Sequence, residues 1–297
     1  MRKALAIDIG GTKIYNTIVN EKGEIIADVK KQPTPKTFDE IVCAFKSIIS
    51  QFEKDVDMIA ISTCGAVNNS NDGILGSTGN IAKGYPDMDF KSLSKKKVFV
   101  ENDANAAAWA EHIIGASKGA SDSIMITLGT GVGGGIIINN RLFKGKSGAA
   151  GEMHFKMRTD KHRKCTCGSY DCFEAYASGP GLKRTAQEIS KNPDITTYDV
   201  IDGWKNNDPM MTEIFNKWQD DIQQGLVGLA NLFDPEVIVL SGSMGEFVDT
   251  DLLTVNVNKE IITTPTRVVK AITGNYSGMI GAALLALGAG SDEGYNG

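Results

Sequence analysis

Two glycine-rich stretches decide the fold: Asp8-Ile9-Gly10-Gly11-Thr12-Lys13, and Leu128-Gly129-Thr130-Gly131-Val132-Gly133-Gly134-Gly135. Each follows an apolar β-type run, Ala4–Ile7 and then Ile124–Leu128. Each precedes another, Ile14–Val19 and then Ile136–Ile138. Strand, glycine turn, strand thus occurs twice, which predicts two domains of similar build. Backbone N–H groups gathered in such a turn can point together at an anion, and the missing Cβ lets a phosphate approach. The second cluster matches G-x-G-x-x-G at Gly129, Gly131 and Gly134, but a dinucleotide site of that kind needs a helix directly after it. Ile136-Ile137-Ile138 is strand chemistry instead, and the first cluster is not a P-loop. The plainer alternative is two ordinary hairpin turns.

Working outward, the polar turn Asn20–Gly23 leads into an expected strand, Glu24–Val29. Apolar positions at helical spacing predict a helix over Phe38–Phe52. Met58–Ser62 reads as a buried strand ending at Cys64-Gly65, and Val98–Val100 as a short strand ending at Glu101-Asn102-Asp103. A helix over Ala104–Ile114 follows. Later come a helix around Trp218–Phe233, the strand Val237–Leu240 running into Ser241-Gly242-Ser243, and a closing helix, Met279–Leu287. Alternating strands and helices predict an α/β fold. The expected domains are 1–115 with 278–297, and 116–277, with an active-site cleft between them.

With 31 Lys and Arg against 36 Asp and Glu, the net charge is −5, and no basic run is present. Nucleic acid is therefore excluded as the main partner. No stretch of about 18 apolar residues argues for a membrane span. Met1-Arg2-Lys3 runs straight into a strand, without the apolar core of a signal peptide, so the expected location is cytoplasmic. Of five cysteines, Cys165, Cys167 and Cys172 cluster, which in a reducing compartment reads as a metal site. Cys43 and Cys64 are expected as small buried hydrophobes, and His112 as structural.

Asp103 sits where a strand ends and a helix begins, a usual place for exposed functional side chains. A carboxylate at such a place can accept the proton of a hydroxyl group. The competing reading is that Asp103 caps the Ala-rich helix.

Together, Asp8–Lys13, Glu101-Asn-Asp-Ala-Asn-Ala-Ala106, Leu128–Gly135, Gly151-Glu152 and Cys165-x-Cys167-Gly168-x3-Cys172-x-Glu174 resemble the ROK family of repressors, open reading frames and sugar kinases. The resemblance covers most of the chain. It implies two actin/hexokinase-like domains and an ATP-dependent kinase that phosphorylates the 6-hydroxyl of a hexose or N-acetylhexosamine. Asp103 would be the base and Asn102 would hold sugar hydroxyls. Asp8 would position Mg²⁺ through water. Gly10, Gly11, Thr12 and Lys13 would lie by the phosphates, Gly129, Thr130 and Gly131 would form a second clamp, and Gly242 would lie along the adenosine. Gly65, Asn80, Glu152, His154 and Glu174 would complete the sugar site, although Asn80 also reads as a simple turn residue. A homodimer is implied as well.

In that pattern Cys165, Cys167 and Cys172 bind structural Zn²⁺ with a histidine three residues after the motif glutamate, where this chain has Phe155. His154, one residue early, is the preferred fourth ligand, and His162 the alternative; three free thiols are the reading without metal. Asp103-x2-Ala106-Ala-Ala-Trp109-Ala-Glu111 and Gly281–Gly288 resemble members acting on N-acetylmannosamine, which would place the enzyme in sialic-acid breakdown. Glucose, N-acetylglucosamine and fructose are the rival acceptors. A repressor of the family would need a helix-turn-helix ahead of Asp8, where seven residues stand. A non-catalytic sugar-binding protein is the remaining alternative.

Overall fold

Strand β1 (Lys3–Ile9) is buried on both faces, and its alternation sorts the two sides of its sheet. Leu5, Ile7 and Ile9 join a core of large side chains with Ile41, Phe45 and Ile48. Ala4 and Ala6 face the other way, against Met279, Ala282 and Ala283. Small residues there let a helix lie close to the strand. These contacts belong to a computed structural model that describes residues 1–76, 81–157 and 162–289.

Around β1 the order is β3 (Lys30–Pro33), β2 (Lys13–Asn20), β1, β4 (Met58–Thr63) and β7 (Val98–Asn102). The β1–β2 pair is antiparallel, whereas β1–β4 and β4–β7 are parallel. Two short strands, β5 (Ala66–Val67) and β6 (Ile74–Gly76), pair separately. Helix α1 (Phe38–Phe52) starts at a capping box between Thr37 and Glu40 and buries Ile41, Phe45, Ile48 and Ile49. Each of those side chains contributes on the order of 1.5–3 kcal/mol by leaving water. Helix α2 (Asp103–Ile114) packs on the closing helix α8 (Ser277–Ala286) so closely that a Cβ on Gly281 would overlap the Ala106 carbonyl.

The second five-stranded sheet has the order β10 (Arg141–Leu142), β9 (Val132–Ile138), β8 (Ser123–Leu128), β11 (Val237–Ser241) and β12 (Arg267–Lys270). Strand β11 is parallel to both β8 and β12. The accompanying helices are α3 (Glu174–Ala177), α4 (Gly179–Ser190), α5 (Thr197–Lys205), α6 (Pro209–Phe233) and α7 (Thr250–Glu260). Helix α6 buries Phe215, Trp218, Ile222 and Leu226, and the Trp218 indole donates to the Ala177 carbonyl at 3.1 Å.

Contacts divide the chain into Met1–Ser121 with Gly135–Gly151 and Ile272–Gly297, and Asp122–Gly134 with Glu152–Ala271. Gly135–Gly151, expected with the second domain, groups with the first. The return to the first unit comes at Ile272.

Three expectations are corrected. Glu24–Val29 is not a strand: only Ile25 bridges to Val19. The Asn20 side chain accepts from the amides of Lys22 and Glu24, and the Thr17 hydroxyl takes the Ala27 carbonyl. Side chains therefore occupy groups that a ladder would need. Cys43 is exposed and Cys64 half-buried, so neither is a core residue. Helix α6 begins nine residues before Trp218, at an Asp208 cap followed by Pro209.

Candidate active site

In the first unit, β7 hands over to α2 at Asn102. This residue has extended backbone (φ −61°, ψ 141°), and its side-chain oxygen accepts from the amides of Ala104 and Asn105, both at 3.0 Å. The cap of α2 is thus Asn102 and not Asp103, which is the first helical residue and is exposed. One Asp103 oxygen accepts the Ala104 amide at 2.9 Å. The Asn102 amide nitrogen donates to the Gly65 carbonyl at 3.0 Å, so three of the expected sugar-site residues meet here. An amide NH₂ has two hydrogens, and this bond uses one of them.

The first glycine turn closes by the Gly10 amide donating to the Lys13 carbonyl at 3.0 Å. Thr34 straps it, donating its hydroxyl to the Gly10 carbonyl at 2.6 Å. Thr12 and Lys13 are exposed on it. Asp8 lies beneath, and the Ser62 hydroxyl donates to its carboxylate at 2.6 Å. Burial pushes the Asp8 carboxyl above its ordinary range, and the Ser62 bond pulls part of the way back. A half-desolvated carboxylate of this kind suits a cation or its bound waters. Ser62 was not foreseen; a serine inside an apolar strand was its only signal.

In the second unit, the Gly129 amide donates to the Gly131 carbonyl at 3.0 Å, and the Gly133 amide to the Thr127 hydroxyl at 3.1 Å. Thr130 is exposed at the tip. Gly242 has φ +85°, and a Cβ there would overlap the Leu128 carbonyl, so glycine is required where the two segments meet.

The same unit carries the cysteine loop. One ligand atom from each of His154, Cys165, Cys167 and Cys172 lies within 4.8 Å of the others. His154 Nδ1 is 3.7 Å from the Cys165 sulfur, and the Cys167 and Cys172 sulfurs are 3.6 Å apart. A tetrahedral ion with bonds of about 2.3 Å to sulfur and about 2.0 Å to nitrogen separates its ligand atoms by about 3.5–3.8 Å. The donor set fits zinc in softness, and these two separations match a tetrahedral site. Burial pushes the Cys165 thiol up to about 12 and raises Cys172, whereas the Ser169 amide lowers Cys167. A cation among them would reverse that cost by binding thiolate. His162 is exposed and lies 3.5 Å from Asp171, outside the cluster. At Phe155, where the resemblance places a histidine, the ring stacks on Phe173 (centroids 5.0 Å apart) and the carbonyl accepts the Phe173 amide. The adjacent His154 is the histidine that lies among the thiols. Its other nitrogen is 3.8 Å from the exposed Glu152 carboxylate. Arg163 secures the loop from below with bonds to Glu188 and Thr185.

Glu174 is held by donors from its own unit. It is buried, and its carboxylate accepts the Val132 amide at 3.1 Å, the Cys165 thiol at 3.4 Å and the Thr166 hydroxyl. A Cβ on Gly131 would stand 2.7 Å from it. Glu174 therefore ties the cysteine loop to the second glycine turn. Asn80 lies outside the described residues. His112 is buried beside Trp109 (ring centroids 5.2 Å apart), and burial lowers its pKa, which fits the structural reading.

Two five-stranded sheets, each with a glycine-turn hairpin and flanking helices, define an α/β protein of the actin/hexokinase-like ATPase fold. The ROK family profile matches residues 4–289, and the chain belongs to that family. It is 34% identical to a glucokinase of Streptomyces coelicolor, over 96% of this chain and 98% of that protein. It is 31% identical to an N-acetylmannosamine kinase of Yersinia pseudotuberculosis, over 82% of this chain and 84% of that one. The crystal structure of a ROK family glucokinase from Streptomyces griseus, in complex with glucose and AMPPNP, superposes with a TM-score of 0.76 at 32% identity, covering 95% of this chain and 98% of that one.

Proposed function

We propose that this protein is an ATP-dependent sugar kinase that transfers the γ-phosphate of ATP to the 6-hydroxyl of a hexose or N-acetylhexosamine. The observation that carries the reading is the β7–α2 corner. Asn102 does the capping, which leaves the exposed Asp103 carboxylate at the start of the helix. As general base, Asp103 accepts the proton of the attacking hydroxyl, and Asn102 offers its remaining N–H to a ring hydroxyl. Each glycine turn would offer backbone N–H groups to phosphate, and Asp8 would suit Mg²⁺ held through water, as the resemblance implies. His154, Cys165, Cys167 and Cys172 hold Zn²⁺, whose contribution is to fix the loop carrying Glu152 and Glu174; four protein ligands leave no open position for water activation.

Glucose is placed first as acceptor, because the Streptomyces coelicolor glucokinase is similar over nearly the whole chain. N-acetylmannosamine, favoured by the sequence reading, stays second on the Yersinia relative. The helix motifs that favoured it lie on α2 and α8 and pack against each other, so they report kinship and not sugar choice. We further propose a cytoplasmic homodimer; among the described residues no helix is long and apolar enough to cross a membrane. The test is ADP release with Mg-ATP across a panel of sugars, with Asp103→Asn as control. Stimulation by one sugar and its loss in the control support the reading. ADP release that no sugar stimulates contradicts it.

A further inference from the structure

The most deeply buried ion pair among the described residues lies behind the proposed base. The Lys144 ammonium is 2.9 Å from a Glu101 oxygen, with side-chain exposures of 4% and 1%. Four donors converge on the Glu101 carboxylate. One oxygen accepts Lys144 and the Asn71 amide (2.7 Å); the other accepts the backbone amide of Asn102 (2.9 Å) and the Asn105 side chain (3.3 Å). A carboxylate offers about four lone-pair sites, so this one is saturated. A protonated Glu101 would point a hydrogen at neighbours that are all donors, so the arrangement requires the ionised form. An ionised carboxylate at this depth requires a cation. Lys144 supplies it, and a second bond to the Asn68 carbonyl at 3.0 Å fixes the ammonium.

Two of the four groups so held, Asn102 N–H and Asn105, flank Asp103. We propose that Lys144 is a positioning residue for the acceptor site: through its buried pair with Glu101 it sets the backbone at Asn102, and with it the aim of the Asn102 and Asp103 side chains. The inference rests on the reading of Asp103 as base. The lysine also ties two segments together, since its own carbonyl accepts the amides of Gly148 and Ala150 in the turn that runs on to Glu152, and Asn69 donates to the carbonyls of Gly145 and Lys146. A cation on this turn has no motif around it, and Glu101 at the end of an apolar strand is the one sequence sign that a partner is needed.

The test compares Lys144→Met, Lys144→Arg and the double variant Glu101→Met with Lys144→Met, each in the full chain. Replacing both partners by apolar groups removes the stranded charge but orphans the Asn71, Asn102 and Asn105 donors, so the double variant should melt below the parent, and activity and exchange are read at a temperature where it is folded. Misaiming a reacting group by about 1 Å costs up to roughly 100-fold in rate. The folded double variant should lose about 10- to 100-fold in kcat, with a raised KM for sugar and a KM for ATP within about 2-fold. Lys144→Arg should recover most of the kcat. Amide hydrogen exchange at residues 102–106 should quicken in the double variant while β8 and β11 are unchanged. Parental kcat, sugar KM and exchange in the folded double variant, or a Lys144→Arg variant no more active than Lys144→Met, would overturn the proposal. If the parent itself turns over no sugar, or Asp103→Asn keeps full turnover, the kinase reading fails, and the exchange measurement still decides whether the pair holds residues 102–106.

Discussion

Removing Glu174 measures how strongly the cysteine loop and the second glycine turn are joined. Glu174→Ala deletes the acceptor of the buried Val132 amide and of the Thr166 hydroxyl. Hydrogen bonds to a charged group contribute about 1.5–3 kcal/mol each, a figure that includes leaving the partner donor unpaired. The expected loss for the two is about 3–6 kcal/mol. At roughly 2–4 °C per kcal/mol for a unit of this size, Tm should fall by about 6–24 °C. Glu174→Gln keeps one oxygen for Val132 and gives Thr166, which can accept, an N–H; the loss should be only about 1–2 kcal/mol. The assay is urea unfolding at neutral pH, followed by Trp fluorescence; Trp218 lies in the same unit. Equal midpoints for the alanine variant, the glutamine variant and the parent would show that these bonds do not hold the turn, and the link drawn here would be wrong.

Other outcomes follow from the same geometry. The folded-state pKa of Asp8 is raised above its unfolded value of 3.8, so the unfolded chain ionises first and stability falls as pH rises from there through the folded pKa. Asp8→Asn should thus melt higher than the parent at pH 7 without nucleotide, converge with it below pH 3.8, and lose turnover; a lower Tm at pH 7 would refute the sign. Metal analysis should find about one zinc per chain, lost with Cys165→Ser but kept with His162→Ala. Loss of zinc in the His162 variant would shift the fourth ligand away from His154.

Much of this was legible in the sequence, and the reasons are local. The two glycine turns announce themselves by their setting, each between two apolar β-type runs. Helix α1 runs over the expected span, Phe38–Phe52, because its capping box and its apolar spacing agree. The Cys-x-Cys-x4-Cys spacing brings three thiols together on one short loop, and His154 stands one residue before the position where the resemblance expects a histidine. Less legible were contacts made across long separations. Glu24–Val29 has strand-like composition but lost its ladder to the side chains of Thr17 and Asn20. The cap of α2 lies one residue earlier than the alternative reading of Asp103 required. Glu174 reads as a sugar-site carboxylate by its motif, yet only the fold reveals that its carboxylate meets Val132, 42 residues away. Lys144 and Ser62 belong to no pattern, because a buried partner need only arrive in space.

Sugar phosphorylation with Asp103 as base is read by coupled ADP release with Mg-ATP against glucose, N-acetylmannosamine, N-acetylglucosamine, mannose and fructose. Glucose should give the highest kcat/KM, by about 10-fold or more (about 1.4 kcal/mol of transition-state preference). Asp103→Asn should lower kcat by at least about 100-fold with sugar binding retained. A preference for N-acetylmannosamine would keep the kinase and change the acceptor. Turnover unchanged by Asp103→Asn, or absent with every sugar, would rule out Asp103 as the base of a sugar kinase.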